Sequence, residues 1–179
     1  LTLRHHDPQG GAPKLVTGQI PWDVTGLEIS PDGRHLAYAI NEDGISRLRV
    51  LALPDQRQIR LPDLPMGVIG NFSFSPDGRS LAVTLNSATS PSDVYVYDIT
   101  TPQLARWTRS EVGGLDASRF RAPELVRFPT FDEVDGKPRT IPAFYYRPEG
   151  DGPFPVVISI HGGPEAQALP TFNPTTQFL

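Results

Sequence analysis

Ser30-Pro-Asp-Gly-Arg34 occurs a second time, 45 residues later, as Ser75-Pro-Asp-Gly-Arg79. Proline fixes φ at the first central position of a tight turn, aspartate tolerates the second, and glycine is favoured after it. Apolar residues alternate on both sides of each copy, as they do in a strand with one buried face. The stretch therefore predicts two equivalent strand–turn–strand units. It favours turn roles over catalytic or metal-binding roles for Ser30, Asp32, Ser75 and Asp77.

The match between the two copies continues beyond the turn. Leu36-Ala37 aligns with Leu81-Ala82, and from Ser46 and Ser92 onward the offset becomes 46. Insertions between repeats usually fall in turns, so we expect one extra residue in a turn of the second unit. The alternative, two unrelated hairpins that share a common turn, does not account for the matches outside the turn.

Each unit contains four short alternating runs, and four strands repeated at about 40 to 50 residues are the signature of β-propeller blades. In the second unit, Val94 and Val96 alternate with Tyr95 and Tyr97, which is typical of a half-buried strand. Residues 1–110 are therefore predicted to form an all-β partial propeller of two full blades and a remnant of a third. The remnant is predicted at 1–4 and 14–17, and the strands of the second full blade at about 70–74, 80–85, 93–99 and 104–108.

The repeat ends near residue 110, and the composition of residues 111–123 is that of a linker. Two alternating runs follow, at 124–128 and 140–146, with a polar stretch at 132–136 between them, which predicts a hairpin-like pair. The acidic residues Asp132, Glu133 and Asp135 could indicate a calcium loop. They lack the twelve-position ligand pattern with its terminal glutamate, so a solvated turn is the better interpretation.

The apolar run at 155–160 predicts a strand buried on both faces, as in the sheet of an α/β protein. His161-Gly-Gly-Pro164 follows it directly, and two glycines allow a sharp turn whose N–H groups no side chain covers. Such donors stabilise the oxyanion that forms during acyl transfer, and each donor typically increases the reaction rate by about 10²–10³-fold. In α/β-hydrolases the loop after the third strand supplies one donor, often with a His-Gly-Gly sequence. The runs at 124–128, 140–146 and 155–160 give the required three strands.

Asn173-Pro174 resembles a helix N-cap followed by proline in the first turn, where the first hydrolase helix is expected. No earlier segment has a sustained helical period. Residues 124–179 are therefore predicted to be the N-terminal part of an α/β-hydrolase domain. The predicted fold class is mixed, with the C-terminal blades of a β-propeller followed by the first strands of that domain.

Charge and cysteine content exclude several other classes of protein. Sixteen basic against 20 acidic residues give a net charge of −4, which offers no electrostatic footprint for nucleic acid. The apolar runs are far shorter than the roughly 20 residues of a membrane helix. The chain has no cysteine, which excludes disulfides, thiolate metal sites and cysteine nucleophiles. On a strand the side chains of His5 and His6 would point to opposite faces, so they could not share one metal site and are predicted at the surface. No metal or cofactor is expected.

These residues resemble the prolyl oligopeptidase family of serine peptidases, in which a β-propeller precedes an α/β-hydrolase domain. The resemblance is most specific from Ala122 onward, and His161-Gly-Gly-Pro164 is similar to the acylaminoacyl-peptidase-like branch. Other branches tend to carry a tyrosine where this chain has His161. The resemblance implies that the parent protein cleaves short peptides with a Ser-His-Asp triad, while the propeller limits access to small substrates. It also implies that the backbone N–H of Gly163 or Gly162 helps to hold the oxyanion, with His161 shaping the loop.

The chain departs from the family at the nucleophile. No Gly-x-Ser-x-Gly occurs in the 179 residues, and Ser159 lies inside the predicted strand without an elbow. The triad is therefore expected beyond residue 179, and the chain itself is expected to be inactive. Two other interpretations stay open: a propeller-bearing esterase, and a non-enzymatic binding propeller of the TolB type. Fold-level analogy favours the peptidase over the esterase.

Overall fold

The computed structural model describes residues 1–163 and 165–179, which form mainly antiparallel β-sheet. Two four-stranded sheets, each with its strands in chain order, form the two full blades expected from the repeat. Blade 1 consists of β3 (Asp23–Ile29), β4 (His35–Glu42), β5 (Ile45–Ala52) and β6 (Arg57–Ile59). Blade 2 consists of β7 (Gly67–Phe74), β8 (Ser80–Ser87), β9 (Ser90–Asp98) and β10 (Gln103–Arg106).

A short sheet precedes the blades, in which β1 (Arg4–His5) pairs antiparallel with β2 (Lys14–Leu15). The strand predicted within 14–17 is formed at Lys14–Leu15, whereas its partner shares only Arg4 with the run predicted at 1–4. Leu3 and Val16 beside this pair, together with Trp22, pack against a core on one face of blade 1. His5 and His6 are exposed, as predicted.

The two Ser-Pro-Asp-Gly turns have the same hydrogen bonds. The Ser30 hydroxyl donates to Asp32 at 2.6 Å and accepts the His35 N–H at 2.9 Å, while Asp32 also accepts the Arg34 N–H at 3.1 Å. The hydrogen bond from Ser30, followed by that from Arg34, holds the pKa of Asp32 below its ordinary value. The predicted turn role is confirmed, because blade 2 repeats these contacts at 2.6, 2.9 and 3.1 Å with Ser75, Asp77, Arg79 and Ser80.

The extra residue of the second repeat lies in a strand, so its predicted place in a turn is wrong. Leu85 of β8 pairs with Asp93 of β9, and the next pair is Ser87 with Ser90. One residue of β8 therefore faces two residues of β9, which defines a β-bulge. Pro91 is one of those two, and a bulge accommodates proline because no ladder N–H is needed there.

The main core lies between the two blades. It contains apolar side chains from β4 and β5 on one side and from β7, β8 and β9 on the other. On β9, Tyr97 belongs to this core, while Val94 and Val96 lie on the opposite, half-buried face. The Tyr97 hydroxyl donates to the Pro62 carbonyl at 2.8 Å, which satisfies a polar group that would otherwise be costly to bury.

A glutamate also joins the blades. Glu28 of β3 accepts the Phe74 N–H at 3.0 Å and the Ser73 hydroxyl at 3.1 Å, both on β7. Because these bonds cross from one blade to the next, Glu28→Ala is expected to lower the free energy of unfolding by about 1 kcal/mol. Urea denaturation measures the change, with Glu124→Ala as the control on an exposed glutamate of the following hairpin. Equal effects of the two substitutions would contradict an inter-blade role for Glu28.

Residues 111–123 contain one turn of 3₁₀ helix (Ala117–Arg119), capped by the Asp116 side chain. A hairpin follows, formed by β11 (Glu124–Val134) and β12 (Lys137–Tyr145). The predicted pair of strands is confirmed, but the strands extend further into the polar stretch than expected. Only Asp135 and Gly136 form the turn, with φ of 52° and 71°, as a type I′ turn requires.

The strand predicted at 155–160 is not formed in this structure, and its predicted burial is wrong. Val156, Ile158 and Ile160 are 82%, 80% and 84% exposed, and the segment has no regular secondary structure. A strand needs neighbours that pair with its backbone, and no other segment in the described ranges pairs with this one. The sheet of an α/β-hydrolase is therefore absent from the described part of the chain.

The chain ends in a short helix, α1 (Pro174–Phe178), as the sequence predicts. The Asn173 side chain caps it, accepting the Thr175 N–H at 2.9 Å and the Thr176 N–H at 3.2 Å. Within the described ranges, no helix is both long and apolar enough to cross a membrane.

Candidate functional site

The predicted oxyanion loop is an exposed turn in this structure. His161, Gly162 and Gly163 are all exposed, and the His161 Nδ1 lies 2.9 Å from the Gly162 carbonyl oxygen, to which it donates when protonated. Pro164, the fourth residue of the predicted loop, lies outside the described residues. The structure therefore places the first three loop residues in solvent, with the imidazole folded back on its own backbone.

The two glycines of the loop differ in their surroundings. Gly163 has a φ of +151°, and a Cβ added there would lie 3.0 Å from the Glu165 nitrogen and 3.1 Å from the Ala166 nitrogen. Gly162 has no atom within 4 Å of an added Cβ. Neither N–H donates to a backbone carbonyl among the described residues. The tight turn at Gly163 thus requires glycine, whereas Gly162 occupies open space.

Catalytic partners for this loop do not lie beside it. Among residues 1–163 and 165–179, no serine hydroxyl is within hydrogen-bonding distance of a histidine ring nitrogen. His35 stacks on Phe74 between the blades, with ring centroids 6.2 Å apart. The structure therefore brings together no nucleophile and base in the part of the chain that it describes.

The acidic residues at the tip of the β11–β12 hairpin are engaged in local contacts. Asp132 pairs with Arg139 at 3.1 Å and accepts a short hydrogen bond from the Thr130 hydroxyl. Glu133 and Asp135 are exposed. No group of three or more possible metal ligands occurs in the described residues, and the arrangement at the tip is that of a solvated turn.

The sequence did not reveal a buried ionic network at the end of blade 2. Asp93 has a fully buried side chain, and its Oδ2 accepts hydrogen bonds from the Ser90 hydroxyl at 2.7 Å and from Arg106. Its Oδ1 accepts hydrogen bonds from the Thr108 hydroxyl and the Ser110 N–H, each at 2.8 Å. One carboxylate thus joins β9, β10 and the residues with which the chain leaves the blade.

These hydrogen bonds keep Asp93 ionised despite its burial. Desolvation is the largest single influence and raises the pKa, but the bonds from Ser90, Thr108, Arg106 and Ser110 together outweigh it. They lower the pKa of Asp93 to about 2. A sequence signal was present, because Asp93 falls on the same alternating face as Tyr95 and Tyr97. An aspartate on a buried face requires partners.

Comparison with known proteins identifies the fold. No protein-family model and no curated protein matches the sequence. Among solved structures, a prolyl endopeptidase from a study of inter-domain dynamics matches 80% of this chain, with a TM-score of 0.59 and 21% identity. The chain has the fold of a segment of a prolyl oligopeptidase.

Two structures of prolyl oligopeptidase B from Galerina marginata also match. The apo protein matches 70% of this chain, with a TM-score of 0.56 and 16% identity. A mutant bound to a 35mer hydrolysis and macrocyclization substrate matches 69%, with a TM-score of 0.54 and 15% identity. The chain spans about a fifth of the length of these structures, which are covered to 20%, 17% and 17%. The resemblance to the prolyl oligopeptidase family is thus confirmed at the level of the fold.

Proposed function

We propose that the chain is part of a serine peptidase of the prolyl oligopeptidase family that hydrolyses short peptides. In this proposal, residues 1–110 belong to a propeller that limits access to the active site, and residues 111–123 link it to the catalytic domain. Residues 124–179 begin an α/β-hydrolase domain whose Ser-His-Asp triad is supplied by further sequence. The loop at 161–164, of the acylaminoacyl-peptidase-like type, forms part of its oxyanion hole.

The observation that carries the proposal is the extent of the structural match. Residues 1–110 make up about three-fifths of the 179 residues, whereas the prolyl endopeptidase matches 80% of the chain. The match must therefore include part of residues 111–179. In a non-enzymatic binding propeller of the TolB type, a His-Gly-Gly sequence after two blades and a hairpin would have no known role.

The exposed apolar run before the loop also supports the proposal. Val156, Ile158 and Ile160 are almost fully solvated here, which costs about 1.5–3 kcal/mol for each large side chain relative to burial. A central strand of a parallel sheet would bury all three. Once that sheet forms, the turn at Gly163 would project from the end of a fixed strand.

The chemistry available at this turn is charge stabilisation. A tetrahedral intermediate carries negative charge on the former carbonyl oxygen, and a fixed backbone N–H stabilises it without reorganisation. Gly163 or Gly162 would donate this N–H. His161 would shape the loop and would not act as the catalytic base, because in α/β-hydrolases the catalytic histidine follows the nucleophile in the chain.

Active-site labelling tests this proposal. The longer protein that contains this chain is expected to react with a fluorophosphonate probe at one serine, and the 179-residue chain is expected not to react. Heat-denatured protein controls for non-specific reaction. A longer protein that does not react would contradict a serine hydrolase, and labelling of the 179-residue chain would contradict the assignment of the nucleophile to further sequence.

A further inference from the structure

The C-terminal segment, residues 165–179, lies across one end of both blades. In each antiparallel blade the turn between the second and third strands is at the end opposite the Ser-Pro-Asp-Gly turn. These turns are Asp43-Gly44 in blade 1 and Ala88-Thr89 in blade 2. The C-terminal segment contacts both of them, so the two blades share one docking face.

The contacts depend on a pair of asparagines related by the repeat. The 45-residue offset makes Asn41 equivalent to Asn86, and each is the penultimate residue of the second strand of its blade. The Asn41 side-chain amide donates to the Gln167 side-chain oxygen at 2.8 Å. The Asn86 side-chain oxygen accepts the Phe172 N–H at 2.8 Å. Equivalent residues of two blades thus hold two points of the same segment.

A glutamine fastens the end of the segment. The Gln177 amide donates to the Ala88 carbonyl at 2.9 Å, and it also pairs with both backbone groups of Arg121 at 2.7 and 2.9 Å. The Phe172 ring packs against the Phe120 ring in a tilted arrangement, with centroids 5.4 Å apart. The segment therefore holds residues 120 and 121 of the linker against the blade end.

Apolar burial contributes little to this attachment. Pro170 is the only residue of the segment that is fully buried, and α1 has no buried residue. A segment with few buried apolar contacts needs little free energy to detach locally from the rest of the structure. The loss of a single hydrogen bond then changes the fraction of molecules in which the segment is attached.

We propose that residues 165–179 form a latch that opens and closes as a unit on the blade turns, with Asn41 and Asn86 as its positioning residues. Closing the latch fixes the linker, and opening it releases the linker together with the segment. The inference rests on contacts within the chain and is independent of the proposed function.

Amide hydrogen exchange of the 179-residue chain, measured by NMR at Phe172, tests the latch. Asn86→Ala removes the acceptor and is expected to accelerate this exchange about tenfold. Asn86→Asp retains an acceptor and should stay within about twofold of the unsubstituted chain. Asn71→Ala, at an exposed asparagine of the same blade, is the matched control and should change nothing. The amide of Val83 in the blade core reports whether each variant is folded.

A second substitution tests whether the latch opens and closes as a unit. Gln167→Ala removes the contact with Asn41, and it should accelerate exchange at Phe172 about threefold or more although Gln167 does not bond to Phe172. Equal exchange rates in Asn86→Ala and the unsubstituted chain, or in the alanine and aspartate variants, would overturn the role of Asn86. An unchanged Phe172 rate in Gln167→Ala would overturn the latch as a unit. This exposed substitution decides the question if Asn86→Ala fails to fold.

Discussion

Asp93→Ala is expected to lower the free energy of unfolding by about 3 to 5 kcal/mol, as the loss of one partner from a buried ion pair does. The substitution removes the acceptor shared by the Arg106 guanidinium, three hydroxyls and the Ser110 N–H. It also frees residues 107–110, with which the chain leaves blade 2. Chemical denaturation of the 179-residue chain measures the change.

The control for this prediction is an aspartate whose bonds are local. Asp77→Ala removes two local hydrogen bonds of an exposed turn and is expected to destabilise the chain far less than Asp93→Ala does. If Asp77→Ala destabilises the chain as much as Asp93→Ala does, the buried network at the end of blade 2 is not a major source of stability.

The pH dependence of stability provides an independent check on Asp93. Its pKa is lowered to about 2 from 3.8, so the unfolded state binds the proton first as the pH falls. The contribution of Asp93 is present above about pH 4 and is lost as the pH falls through 2; the shift corresponds to about 2 kcal/mol. Asp93→Asn should therefore lose less stability between pH 5 and 2 than the unsubstituted chain. Parallel pH profiles would contradict the ionised, buried carboxylate.

Gly163→Ala is expected to reduce the kcat of the longer protein by about 10²-fold, with little change in KM. An alanine Cβ would lie 3.0 Å from the Glu165 nitrogen at a φ of +151°, so the turn must shift. A donor displaced by a fraction of an ångström no longer meets the oxyanion, and that interaction exists only in the transition state.

Gly162→Ala is the matched control, because an added Cβ there meets no atom within 4 Å. Its kcat should stay within about threefold of that of the unsubstituted enzyme, well below the effect of losing a donor. Similar losses in both variants would show that the loop tolerates no side chain at all, and unchanged activity of Gly163→Ala would exclude the Gly163 N–H as the oxyanion donor.

Local chemistry explains why the sequence predicted the blades. The Ser-Pro-Asp-Gly turn is stabilised by bonds within five residues, from Ser30 to Asp32 and from His35 to Ser30. The N-cap at Asn173 and the hairpin turn at Gly136 are equally local. Because the Ser-Pro-Asp-Gly unit occurs twice, the strand boundaries of the blades could be predicted within a few residues.

Interactions between distant residues explain what the sequence did not predict. Three of the residues that bond to Asp93 lie 13 to 17 residues away from it in the sequence, namely Arg106, Thr108 and Ser110. The run at 155–160 has the composition of a central strand, but composition does not supply the neighbours with which such a strand pairs. The latch depends on contacts 86 to 126 residues apart, which only the assembled blades bring together.

The kcat/KM of the longer protein for a short peptide anilide, compared with an ester of the same acyl group, tests the proposed function most directly. A peptidase hydrolyses both, and the fluorophosphonate that labels its serine abolishes both activities. We expect amide hydrolysis that is lost on labelling. Ester hydrolysis without amide hydrolysis would contradict the peptidase, and activity that persists after complete labelling would contradict the serine mechanism.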